Sequence, residues 1–302
     1  MKLIIPALMI IAILLAGCQE LKNIKLPKTL PGLSSEEEVS SGSISAYFVN
    51  PKNGGNVLSE YPFSPVMRIK SLGGYESEGQ TCISGLDSNI FSGFGGCECA
   101  SFQQAKGESG IFQPEDLTFG PYTIHIAKED RKEHIVSAVT RYLYGNEVKA
   151  NICISKDIYE NTGCSPSIQS STSGPLDITS IEQETIPISE DVVTLIFRIK
   201  ATQVENGRFI PEDDVNGQCT PVNLEELPKV EARVKGFPTR APVICDDVEI
   251  EGKDVTVVCE AKDLSLIGPG GTSVFGENYN PELTFELRYF FETTSSSRFT
   301  VQ

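Results

Sequence analysis

Beyond residue 43 the apolar residues come in short runs set apart by Gly, Pro, Asn and Ser, and helical spacing is scarce. Such patterning predicts strands joined by turns. The candidates are "SISAYFVN", "PVMRIKSL", "YTIHIA", "HIVSAVTRYLYG", "KANICIS", "LDITSIEQ", "VVTLIFRIKAT", "KVEARVKG", "DVEIEGKDVTVVCEA", "ELTFELRYFFET" and "RFTVQ". In "LTFELRYFFET" Leu283, Phe285, Leu287, Tyr289 and Phe291 share one face, with Thr284, Glu286 and Arg288 opposite. Val136, Ala138, Thr140, Tyr142 and Tyr144 take the same places in an earlier strand. These aromatics read as the packed interior of a sandwich rather than as a ligand-binding box. The fold class expected is all-β, built from β-sandwiches.

Short echoes recur in one order along the chain. "VMRIKS" at 66–71 returns as "IFRIKA" at 196–201, "EGQTC" ending at Cys82 as "NGQC" ending at Cys219, and "CECA" at Cys97 as "CEA" at Cys259. "TRYLYGNEVKANICI" matches "LRYFFETTSSSRFTVQ", with Arg141-Tyr142 over Arg288-Tyr289 and a last short strand after each. The pattern predicts two tandem copies of one domain, residues 44–157 and 175–302, joined by a loose linker at 158–174. Each copy falls near the usual ~100 to 150 residues of a single core. The opening of the second copy, "PLDITSIEQETIPISEDVVTLIFRIKATQVENGRFIP", resembles the start of immunoglobulin-like domains of the cell-adhesion-related (CARDB-like) kind in archaeal surface proteins. There a strand, a kink and a second long strand ending in Asn-Gly follow one another. The resemblance implies the fold and an extracellular scaffold or adhesion setting, and it brings no catalytic residues.

The N-terminus departs from this pattern. Lys2 precedes an apolar run at residues 3–17, shorter than the ~20 residues of a membrane-crossing helix and suited to a signal-peptide core. Ala16 and Gly17 then precede Cys18, and "LLAGC" resembles the lipobox of exported lipoproteins. In that family small residues fit the narrow subsites of the cleavage machinery, and the cysteine thiol receives lipid and becomes the new N-terminus. The expected layout is a signal peptide at 1–17, lipid attachment at Cys18, and a polar, Pro-broken spacer at 18–43. The alternative is an uncleaved signal anchor. Either places the remainder on the extracytoplasmic face of the cell membrane, with the lipid on Cys18 as membrane partner.

The net charge is −16 with 25 basic and 41 acidic residues. Loss of Lys2 with the signal peptide would make it −17. No basic stripe marks a nucleic-acid binder. Nine cysteines in an exported chain argue for disulfides. With Cys18 used by lipid, an even set remains: Cys82, Cys97, Cys99, Cys153, Cys164, Cys219, Cys245 and Cys259. Cys97 and Cys99 stand too close to bond each other and take separate partners. A two-residue turn at Gly252-Lys253 pairs Ile250 with Val255 and Val248 with Val257. In that register a Cys245–Cys259 bond needs a bulge near Asp246. The repeat suggests instead Cys82–Cys97 and Cys219–Cys259, completed by Cys99–Cys153 and Cys164–Cys245.

Other chemistry is sparse. A thiolate zinc site from Cys82, Cys97, Cys99 and Cys153 lacks paired CxxC spacing. His125 and His134 lie in strand-like segments without a metal-binding context. Asp213, Asp214 and Asn216 in "PEDDVNGQ" make a weak calcium candidate without EF-hand spacing. "GPGGTSVFG" lacks the Gly-Lys-Ser/Thr of a phosphate-binding loop, and neither G-x-S-x-G nor H-E-x-x-H occurs. No metal or other cofactor is expected. The expected role is a non-enzymatic binding, scaffold or adhesion protein that meets another surface protein or envelope component. The alternatives are a solute-binding lipoprotein of a transporter and an extracytoplasmic hydrolase.

Overall fold

The period-two patterning is realised as strands throughout the computed structural model, which describes residues 44–73, 75–106, 112–126, 131–155, 165–212, 219, 230–237, 243–265 and 278–302. Cys18 and the N-terminal segment, Cys164, and the calcium candidate Asp213, Asp214 and Asn216 lie outside the described residues. The protein is all-β, and no α-helix occurs among the described residues. The strands of the first half are β1 (Ile44–Asn50), β2 (Gly55–Val57), β3 (Val66–Ser71), β4 (Ser77–Ser84), β5 (Phe91–Ser92), β6 (Cys97–Gln104), β7 (Glu115–Thr118), β8 (Thr123–Ile124), β9 (Lys132–Asn151) and β10 (Ile154–Ser155). Those of the second are β11 (Ser167–Ser171), β12 (Leu176–Ser189), β13 (Val192–Gln203), β14 (Arg208–Ile210), β15 (Val230–Lys235), β16 (Val243–Glu251), β17 (Asp254–Ser265), β18 (Asn278–Tyr279) and β19 (Glu282–Val301).

A long sheet ordered β14-β19-β9-β4-β6, with β2, β11 and β15 added at its sides, carries two smaller sheets, β1-β3-β7 and β12-β13-β17-β16. The echo "VMRIKS"/"IFRIKA" supplies an interior strand of each smaller sheet. Arg68 in β3 forks onto Asp116 of β7 with two bonds of 2.7 Å, and Arg198 in β13 reaches Glu184 of β12 at 2.8 Å. The hydrogen bonds and charge of Arg68 hold the Asp116 carboxyl below its usual range. The echoes at Cys82/Cys219 and Cys97/Cys259 do not share positions. Cys82 lies in β4, the strand that takes the equivalent place beside β19 is β15, and Cys219 is in a turn. Cys97 is in the long sheet and Cys259 in a small one.

The segments read as a strand plus a last short strand run on into single strands of 20 residues, β9 and β19, with the end of "KANICIS" forming the separate β10. β9 and β19 run antiparallel over their whole lengths, from Lys132 opposite Val301 to Asn151 opposite Glu282. Tyr142 and Tyr289 are 147 residues apart, and so are Leu143 and Phe290, which face each other. The pairing therefore pivots about Leu143 and Phe290. Residues 137–141 lie between β4 and the C-terminal half of β19, while residues 284–289 lie between β15 and the C-terminal half of β9. Each half of the protein thus receives its last strand from the other. Phe299 is 1% exposed and packs on Phe63 and Phe91 of the first half at 5.2 and 6.1 Å. In exchange, Asn146 donates to the Leu176 carbonyl of β12 at 3.1 Å.

Two tertiary contacts secure the pivot. Gly145 and Asn146, a turn-like pair, lie within the extended strand, and position 145 admits only glycine because a Cβ would lie 2.6 Å from the Tyr75 ring. The Asn146 side chain is buried and fully engaged: it donates to the carbonyls of Thr172 and Leu176 and accepts from the Tyr289 hydroxyl. Burial pushes the Tyr289 and Tyr144 hydroxyls well above the ordinary tyrosine range, so both remain donors, Tyr144 to the Ser173 carbonyl at 2.9 Å.

His134 opens the exchanged region between Phe91 and Phe299, with ring centroids 5.2 and 5.8 Å away. Desolvation, reinforced by Lys132 and opposed by Asp87, lowers its pKa from the ordinary value of 6.5. The folded state binds this proton less readily than the unfolded chain, so stability is complete above about pH 6.5 and declines as pH falls toward the lowered folded value. Thermal unfolding between about pH 7.5 and 5.5 should show that decline, and His134→Phe, which keeps the ring packing, should flatten it. An unchanged slope in the variant would place the effect elsewhere.

Candidate functional site

The outer face of the long sheet carries the one concentration of reactive side chains among the described residues. β4 and β6 pair so that Cys82 faces Cys99 and Ser84 faces Cys97. Facing residues share a sheet face and alternate residues return to it, so Cys82, Cys97 and Cys99 project together. Glu98, between them, points to the other side. There it accepts the Tyr122 hydroxyl at 2.5 Å and the Gly120 amide at 3.3 Å. Burial and this bond raise the Tyr122 pKa, which keeps the phenol a donor.

The disulfides follow from this register and correct the pairing suggested by the repeat. Cys82 bonds Cys99 rather than Cys97, with 4.0 Å between Cα atoms. Cys97 bonds Cys219 rather than leaving it to Cys259. Cys245 bonds Cys259 across β16 and β17. The Gly252-Lys253 turn pairs Ile250 with Val255 and Val248 with Val257 as expected, and the register shifts between Ile244 and Asp247. That irregularity is the bulge a Cys245–Cys259 bond requires. Cys153 is also disulfide-bonded, with a partner other than Cys99, and its backbone is held by the Gln183 side chain of β12. By loop closure the Cys97–Cys219 link, spanning 122 residues, contributes most, about 5 kcal/mol against about 3 for each short loop.

The two bridges touch. Cys99 Sγ lies 3.3 Å from Cys219 Sγ of the other disulfide, and the four sulfurs are all within 4.8 Å of one another. Cys153, a member of the zinc set considered from sequence, is not in this group, and Cys219 takes its place. Burial grades outward, from Cys82 in the interior through Cys97 and Cys99 to an exposed Cys219.

A cleft of about 340 Å³ adjoins the sulfurs and is walled by Arg141, Arg208 and Glu292 as well as Cys82, Cys97 and Cys219. The three charged residues come from adjacent strands, since Glu292 of β19 faces Arg141 of β9 on one side and Arg208 of β14 on the other. One carboxylate oxygen accepts from Arg141 Nε at 2.8 Å and the other from Arg208 Nε at 2.8 Å. The Arg141 and Glu292 side chains are 8% and 7% exposed, whereas Arg208 is 46% exposed. Close approach of β14 depends on Gly207, where a Cβ would stand 2.3 Å from the Glu292 carbonyl. Among the described residues the second half shows no copy of this arrangement. Arg288, the repeat partner of Arg141, faces Gly145 and lies over the Tyr75 ring at 5.9 Å.

Of this site the sequence marked Cys82, Cys97 and Cys99 as a group and Arg141 only as part of a repeated Arg-Tyr pair. Arg208 and Glu292 carried no signal, because their meeting depends on β14 joining the sheet beside β19. His125 and His134 are not among the sulfur ligands. No protein-family model matches the chain, and no curated protein matches it either.

Proposed function

We propose that this is a lipid-anchored protein of the extracytoplasmic face of the cell membrane, in which two disulfide-supported immunoglobulin-like sandwiches serve binding or scaffolding. The observation that carries the reading is that all seven described cysteines are in disulfides within an all-β fold. That is the usage of oxidising compartments, and it agrees with the "LLAGC" segment at 14–18. Apolar side chains stand exposed at two places: Leu58 and Tyr61, which follow β2, and Ile186 and Ile188, at the end of β12 beside the β12–β13 turn. Loops displayed by a rigid sandwich are a common seat of recognition. The bridges and the exchanged last strands make such a display rigid.

The test is the state of the N-terminus in cells that make the full chain. Mass spectrometry of the membrane fraction should find a mature chain beginning at a lipid-bearing Cys18, and Cys18→Ser should abolish both the lipid and the cleavage. A chain with intact Met1, or one released in soluble form without lipid, would overturn the anchoring.

A further inference from the structure

The four clustered sulfurs are near enough to serve one metal ion once their two bonds are opened. A tetrahedral zinc ion held by thiolates at ~2.3 Å sets its sulfurs ~3.8 Å apart, and the group formed by Cys82, Cys97, Cys99 and Cys219 fits within 4.8 Å. Three ligands come from the paired strands β4 and β6, whose register fixes their spacing. The fourth, Cys219, closes the set from a distant part of the chain and gives access from solvent. A four-thiolate zinc unit carries a net double negative charge. Arg141 and Arg208 line the adjoining cleft, and although Glu292 offsets part of their charge, neighbouring guanidinium groups favour thiolate over thiol.

We propose that on reduction of its two bridges this cluster becomes a tetrathiolate site for Zn2+, so that one set of side chains alternates between two disulfides and a bound metal. Two molecules of a dithiol reductant supply four electrons and four protons and leave as disulfides. The Cys82–Cys99 and Cys97–Cys219 bonds break to give four thiols. Zinc then binds as the four thiols release their protons. Soft sulfur ligation selects zinc over magnesium or calcium. The proposal does not depend on lipid at Cys18, and its test is independent of the N-terminus.

The full chain is reduced with a phosphine, which leaves no competing thiol, and titrated with Co2+ as a spectroscopic substitute for zinc. Thiolate-to-cobalt charge transfer and the intense visible bands of tetrahedral cobalt should saturate at one ion per chain and vanish on adding Zn2+. The oxidised chain should show neither. Cys219→Ser should weaken binding by more than about 100-fold, beyond the ~10–100-fold cost of losing a neighbour of a ligand, while Cys153→Ser should leave it unchanged. Alkylation of the unaltered reduced chain, with and without Zn2+, supplies a readout independent of how the variants fold. Zinc-dependent protection should map to Cys82, Cys97, Cys99 and Cys219. Absence of charge transfer at saturating cobalt, protection of Cys153 in place of Cys219, or no zinc-dependent protection would each overturn the site.

Discussion

Phe299→Ala will destabilise the protein by about 3–5 kcal/mol, and the loss will surface in the half of the chain farthest from it in sequence. Phe299 sits three residues before the C-terminal Gln302, yet its ring is buried against Phe63, Phe91 and His134. Removing it opens a cavity beside Phe63, β5 and the start of β9. The last three residues of β19 also hold β2 in parallel pairing, so that strand should loosen as well. Hydrogen exchange resolves the outcome by region. Amides of β2, β5 and residues 132–141 should exchange faster in the variant, while β13 and β17, in a separate small sheet, should change little. Faster exchange confined to β12, β13 and β17 would show instead that the last strand folds back on its own half. A native stability of about 5–15 kcal/mol leaves the variant enough structure for the comparison to be made.

Why the exchange escaped the sequence reading is visible in the residues at the pivot. The alternation was legible: Val136, Ala138, Thr140, Tyr142 and Tyr144 continue through Asn146 to Val148, Ala150, Ile152 and Ile154, all buried on one parity. A one-residue slip would have reversed it, so the unbroken count already favoured one strand over two. Gly145-Asn146 and the serine run at 295–297 masked this, because such residues usually mark turns. What fixes Gly145 and Asn146 within the strand is tertiary: the Tyr75 ring leaves no room for a Cβ at 145, and Asn146 and Tyr144 donate to the carbonyls of Thr172, Leu176 and Ser173. None of those partners is local.

The cysteines divide along the same line. The Cys245–Cys259 bridge was legible as a condition, since the Gly252 turn fixes a register and the bulge follows from it. Cys82–Cys99 required knowing which residue of β6 faces Cys82, and no turn of fixed length joins those strands. Cys97–Cys219 crosses 122 residues, and Cys219 enters the cluster from outside any strand. Similarity between the two short echoes misled here, because "NGQC" and "EGQTC" occupy different structural positions.

The largest electrostatic effect will come from Glu292. Its carboxylate is a partner of Arg141 inside the sheet face, and removing one member of a buried pair strips the other charge of that contact. Glu292→Ala should therefore cost about 3–5 kcal/mol, read as a lower urea midpoint with little change in slope. Arg208→Ala should cost no more than about 1 kcal/mol, because that guanidinium is half exposed and water replaces the lost contact. The decisive variant is Arg141→Met combined with Glu292→Met. Apolar side chains of similar volume remove the desolvation cost of both charges, so the double variant should recover most of the stability lost in Glu292→Ala, as replaced buried ion pairs often do. If Glu292→Ala proves neutral, water reaches Arg141 through the cleft and the pair adds nothing to folding. If instead the double variant is as unstable as the single one, the ion pair fixes the pairing of β14 with β19, and the wall of the sulfur cleft depends on charge rather than on packing.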